Sequence, residues 1–273
     1  MKIYFQSEAE CNYFKHLIAY NHLFYKETKH KRKGYELFVA HIPLQILLTN
    51  FIKVYLVFRL SKKIKEIARN IYYYSNKTEI EQIVEWTYFL LQEKSFMDDQ
   101  FNESSLFDYL YYTLLKQFQQ MPTTTEIYYD MFILFQFKQF HEQLIDIVGF
   151  AIDEMKREEE YQHYLHTIRE YIHFRKPKRS TLHILQRSPF EFFDHQGNKI
   201  SDLQVTRLMR NEPLYLIGLD EKERNLAPIV TLLPELLYIY GNDVNEPKTV
   251  TLLNVFQERA KFLPESSFPF SLT

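Results

Sequence analysis

Two short patterns in the chain have the residue types to hold a metal. Glu160 lies three residues before His163, and Glu170 three before His173, with His166 between them. A carboxylate and an imidazole at i and i+3 share one helix face, and di-metal carboxylate bundles use that pair. Such sites need the two copies on facing helices. Here ten residues of one expected helix separate the copies. The second therefore stands about 80° round and roughly 15 Å along from the first. No turn residue lies between them to fold the segment back. The pattern reads as solvated helix surface, and the sequence implies no metal and no cofactor.

Other catalytic patterns are missing from the sequence. Cys11 is the one cysteine, set in an apolar helical pattern that suits a buried, inert thiol. There is no Gly-x-Ser-x-Gly elbow, no Walker A loop and no Gly-x-Gly-x-x-Gly; glycines 34, 149, 197, 218 and 241 are isolated. Asp194 and Asp202 flank a turn, where carboxylates usually serve as turn formers. Three basic groups remain, over residues 26–33, 59–69 and 175–179. The first and third fall in expected loops. If they converge, Lys29, Lys31, Arg32, Lys33, Arg175, Lys176, Lys178 and Arg179 make a patch for phosphate or an acidic partner. Solvated loops are the commoner meaning of such groups. Lys and Arg total 33 against 35 Asp and Glu, a net charge of −2, so the chain as a whole has no electrostatic pull toward nucleic acid.

The stretch from Tyr128 to Arg175 must position most of these residues. No proline falls between Pro122 and Pro177. Leu144, Val148, Ala151, Ile152 and Met155 recur at helical spacing. After the charged run 156–160 the apolar positions become Tyr161, Tyr164, Leu165, Ile168 and Ile172, a stripe rotated by roughly a quarter turn. One straight helix would not keep both stripes on one core, so a bend or break is expected near Arg157.

Earlier in the chain, Lys2 to Phe5 reads as a short strand and Ser7 as the cap of a helix through Asn21. Residues 29–34 read as a basic loop, and Tyr35 to Ile42 as a second strand. Leu44 to Tyr74 is one long helical pattern that turns amphipathic at Arg59. Its first part, Leu44 to Leu60, is the most membrane-like stretch, but it contains Gln45, Asn50, Lys53 and Arg59 and suits a buried core helix better. Thr78 with Glu81, and Thr123 with Glu126, look like capping boxes. The first residues are too few and too acidic for a signal peptide. Glycine is scarce, five residues where usual usage gives roughly nineteen, and Tyr (21) with Phe (24) supply nearly all of the 17% aromatic share. Both features favour long helices with wide gaps to fill.

After Pro177 the period falls to 2. Thr181 to Gln186, a turn from Phe190 to Ile200, a helix from Asp202 to Met209, a weak strand from Leu214 to Leu219 and a helix from Ala227 to Leu233 follow. Leu236 to Tyr240, Thr249 to Glu258 and Lys261 to Leu263 close the chain as strand, helix and parallel strand. The expected fold is α+β and mostly α-helical. A β-α-β opening segment (1–43) and an αβ region (176–273) flank a helical middle (44–175). The strand at Lys2 is expected to share one sheet with the C-terminal strands and to cover the far side of Leu236 to Tyr240, although Thr181 to Gln186 could serve there.

Two blocks of this sequence carry a family resemblance. The first runs from Phe137 through Leu144-Ile-Asp-Ile-Val148, Glu158-Glu-Glu-Tyr161 and Pro177-Lys178 to Phe193-Asp-x-x-Gly197-Asn-Lys-Ile200. The second is Leu232-Leu-Pro-Glu-Leu-Leu-Tyr-Ile-Tyr240 with Asn254-Val-Phe256. In this order they resemble the YtxC-like family, described as putative sporulation proteins of spore-forming Firmicutes. The resemblance implies a link to sporulation and brings no catalytic residue. Some members carry a short cysteine cluster after the last strand; this chain has Pro264-Glu-Ser-Ser-Phe-Pro-Phe270 there, so no metal or redox role follows. The resulting expectation is a non-enzymatic cytoplasmic protein, without a membrane span, that acts on a protein partner. The alternative is a nucleic-acid-binding protein that uses the three basic groups.

Overall fold

Lys2–Phe5 forms a strand (β1), and Ser7 caps the next helix (α1, Glu8–Tyr20) by accepting a hydrogen bond from the Glu10 amide. Tyr25–His30 (β2) and Gly34–Val39 (β3) follow, paired antiparallel from Tyr25↔Val39 to His30↔Gly34. Sequence periodicity missed β2 because Tyr25 through Lys29 are all exposed and so show no apolar alternation. Residues 29 and 30 thus belong to a strand and not to the expected loop. Gly34 sits at φ +80°, and a Cβ there would fall 2.3 Å from the Phe5 carbonyl oxygen. The computed structural model describes residues 1–30, 34–92, 106–118, 126–220, 222 and 224–271. The expected cap at Thr123, like Lys31, Arg32 and Lys33, lies outside them.

The chain divides into two units, Met1–Arg157 and Glu158–Thr273. In the first, Leu44–Phe58 (α2) and Leu60–Asn70 (α3) replace the single long helix expected from the pattern, with a bend of 49° at Arg59. Neither proline nor glycine lies in that segment. The bend falls where the chain leaves an environment buried on most sides and becomes a one-faced surface helix. Lys77–Gln92 (α4) is capped by Asn76, whose side chain accepts from the Thr78 amide, two residues earlier than the capping box suggested. Leu106–Phe118 (α5), Glu126–Tyr128 (β4) and Tyr129–Gln136 (α6) lead to α7, Lys138–His173. Strand β4 pairs parallel with β1, giving a sheet of order β2-β3-β1-β4.

Helix α7 runs unbroken through Arg157, so the expected break does not occur. The rotated stripe has another cause. Leu144, Val148, Ala151 and Met155 join the core of the first unit, whereas Leu165, Ile168 and Ile172 join that of the second.

The second unit holds Arg179–Leu185 (β5), Glu191–Phe193 (β6), Asp202–Met209 (α8), Leu226–Leu232 (α9), Pro234–Gly241 (β7), Pro247–Phe256 (α10) and Ala260–Pro264 (β8). Its sheet has the order β6-β5-β7-β8, with β7 parallel to both neighbours. Ser201 and Gln204 form a reciprocal capping box on α8. Residues 214–217 form a 3-10 turn instead of the weak strand. The expected sheet joining the two chain ends is replaced by two separate sheets: β5 covers the side of β7 that β1 was expected to cover. The fold is α+β and mostly helical, with the C-terminal strand-helix-strand unit as expected.

Ile239 is fully buried at the centre of β7. Ile239→Asp therefore places an unpaired carboxylate in the second core, at a cost of several kcal/mol, about 3–5. Hydrogen exchange should show amide protection collapse across β5, β7 and β8, while Ile239→Val, with a cost of about 1 kcal/mol, retains it. Unchanged protection in the Asp variant would contradict the strand order.

Candidate functional site

Arg59 ends α2 and begins α3, so its side chain leaves the chain at the bend. Glu10, in the first turn of α1, and Asp130, in the first turn of α6, converge on it. Arg59 Nε donates to Glu10 Oε1 at 2.8 Å and Nη2 to Glu10 Oε2 at 2.6 Å, a bidentate fork; Nη2 also donates to Asp130 Oδ1 at 2.7 Å. The Glu10 side chain is only 5% exposed and that of Arg59 23%. Burial by itself would lower the Arg59 pKa, but its hydrogen bonds to Glu10 and then Asp130 outweigh it and hold the guanidinium charged. The Gln6 amide, just past β1, donates to Asp130 Oδ2 at 3.3 Å. The guanidinium also lies over the Tyr129 ring, 4.8 Å from its centroid. Beneath it, Phe5, Phe14, Phe51 and Tyr129 meet with ring centroids 4.9–5.4 Å apart. Cys11 is buried beside this cluster, and burial pushes its thiol up to about 11, as an inert thiol requires.

The triad forms one wall of a cavity of about 410 Å³. Tyr55 and His141 share a hydrogen bond of 2.9 Å on a second wall, and Met131, Ile133 and Leu134 of α6 make an apolar third. Lys62, Lys63 and Glu66 stand at the α3 side. Burial first, then the charge of Lys63, lowers the His141 pKa to about 4, so the ring is neutral near pH 7. No residue here is set up as a nucleophile. Glu10 and Asp130 already accept from Arg59, Glu66 pairs with Lys63 at 3.6 Å, and the hydroxyl and imidazole bond to one another. The cavity offers shape, an apolar wall and a cationic margin.

The residues singled out in the sequence lie elsewhere. Lys29 is on β2, 5.0 Å from the Tyr35 ring centroid. Arg175 stacks on Tyr171 at 3.4 Å, with Nη1 3.8 Å from Glu212. Lys178 forms an ion pair with the same Glu212 and donates to the Thr231 carbonyl at 3.3 Å. Lys176 is exposed, and Arg179 opens β5 opposite Pro234. The structure thus gathers Arg175 and Lys178 around one carboxylate. Glu160, His163, His166, Glu170 and His173 are all exposed on α7, and among the described residues no three His, Cys, Asp or Glu side chains gather as a metal requires. Asp194 is a turn former: Oδ1 accepts from the Gln196 and Asn198 amides, both at 2.9 Å. No single helix among the described residues is long and apolar enough to cross a membrane; α2 and α3 together pass by length and composition, but α2 is largely buried.

The depressed His141 pKa has a consequence for stability. The unfolded chain protonates this ring near 6.5 and the folded one only near 4. Its stabilising share is therefore complete above pH 6.5 and is lost as pH falls toward 4. Partial solvent contact holds the loss to on the order of 1–2 kcal/mol. Urea unfolding of the wild type and His141→Gln should diverge across this window, with the variant the flatter. Parallel curves would contradict the burial of a neutral imidazole.

No solved structure matches the chain. The Bacillus subtilis (strain 168) relative, "Uncharacterized protein YtxC", is 24% identical over 278 aligned residues, covering 98% of this chain and 95% of the relative. The model of the YtxC-like family matches residues 45–261, which include Tyr55, Arg59, Asp130 and His141 of the cavity, the second core and the part of the first core from Leu47 onward. By that match the chain belongs to the YtxC-like family.

Proposed function

We propose that this chain is a non-enzymatic, sporulation-associated protein of the cytoplasm that works by docking a protein partner at the α6 face of the Arg59 cavity. One observation carries the reading. Met131, Leu134 and Phe135 recur at helical spacing on α6 and are 50%, 58% and 66% exposed, while Tyr129, Phe132 and Ile133 on its other side are buried. Three adjacent large apolar side chains left in water beside a cavity make a patch that suits a partner's apolar side chains. Lys62 and Lys63 line the same cavity, so the partner segment that fits is apolar and flanked by carboxylates. The sporulation link rests on the family, and the compartment on a chain whose one cysteine cannot form an internal disulfide.

The test compares tagged wild type with Leu134→Asp, recovered from a spore-forming host entering sporulation. Leu134 is solvent-facing, so the variant should fold and melt as the wild type does. A protein captured by the wild type should be missing from the variant, and when purified it should bind the wild type with at least roughly tenfold higher affinity. Identical captured sets, from variants with unchanged circular dichroism, would overturn the reading.

A further inference from the structure

The first sheet ends in an edge that the cavity does not use. Strand β2 pairs only with β3 among the described residues, and Tyr25 through Lys29 are all exposed. In an antiparallel pair, alternate residues turn their N–H and C=O groups away from the partner strand. A six-residue edge therefore leaves a row of backbone donors and acceptors directed outward. Phe24, at the entry to β2, is 92% exposed, and Phe38, opposite Lys26 on β3, is 43% exposed. The edge thus has a ladder to extend and an apolar seat beside it.

Charge then selects what fits. Glu27 is held by Lys15 at 2.8 Å; among the described residues Lys26 and Lys29, the latter over the Tyr35 ring, are the exposed cations of the edge. They are three residues apart, so they stand on opposite faces of the sheet. A strand with two carboxylates three residues apart meets one lysine on each face. We propose that β2 is a strand-addition site for an extended segment of a partner protein bearing acidic side chains at that spacing. It is a surface separate from the α6 face, and Leu134→Asp leaves it intact.

The experiment uses the full chain and a labelled synthetic peptide, Thr-Val-Glu-Val-Val-Glu-Val-Thr, followed by fluorescence anisotropy and by hydrogen exchange of residues 25–30. The peptide should bind and slow exchange of the outward amides of β2. Lys26→Glu with Lys29→Glu should weaken binding roughly tenfold or more. Replacing both peptide glutamates by lysine should restore it. A peptide N-methylated at alternate residues, with its charge unchanged, should lose binding to whichever variant its charges match. Three results would overturn the proposal. The methylated peptide binding equally well shows charge attraction without an added strand. Binding with no slowing of β2 exchange shows docking elsewhere. A wild-type dimer with β2 already protected shows that the edge is an interface between copies.

Discussion

A buried carboxylate governs the first unit. Glu10, on an otherwise apolar face of α1, is almost out of water. An unpaired charge there would cost more than most single contacts supply. Arg59 meets it with a two-pronged hydrogen bond and uses the same guanidinium to hold Asp130. Three elements far apart in sequence are thereby fixed: α1, the α2–α3 joint and α6. The bend at Arg59, the aromatic cluster beneath it and the cavity beside it are arranged about that one group. Within the triad, each carboxylate accepts from the same guanidinium, which ties the three elements together.

Helix α7 shows what a sequence pattern can and cannot say. Its two stripes and their quarter-turn offset are legible from spacing. Their meaning is not, because a rotated stripe arises equally from a bent helix on one core and from an unbroken helix shared by two. Met155 packs in one core and Leu165 in the other, and the charged run between them marks the handover. The same limit explains the sheets. Alternation identified β5, β7 and β8 as strands, and the short crossover through α10 made β7 and β8 parallel neighbours. Whether β1 or β5 lay on the far side of β7 depended on long-range packing that no local pattern encodes. In β2, Tyr25 through Lys29 are all exposed and carried no alternation to find.

The candidate site was almost illegible for a related reason. Glu10, Arg59 and Asp130 each look like an ordinary surface charge on a helix, and the partners are 49 and 71 residues apart. One signal was present. Arg59 follows Val54-Tyr-Leu-Val-Phe58 and precedes Leu60, and a lone cation inside so apolar a run needs a buried counter-charge. The basic groups that clustered in sequence mark different things: Arg175 and Lys178 serve Glu212, and Lys29 lies over the Tyr35 ring.

A double-mutant cycle on Glu10 and Arg59 tests the central claim most directly. Arg59→Met strands the Glu10 carboxylate and should cost about 3–5 kcal/mol in urea unfolding. Adding Glu10→Leu removes the stranded charge, so the double variant should regain much of that loss, with a coupling energy of roughly 1–3 kcal/mol. The account predicts a double variant more stable than Arg59→Met alone. Losses that simply add would show that Glu10 does not depend on Arg59, and would contradict the account.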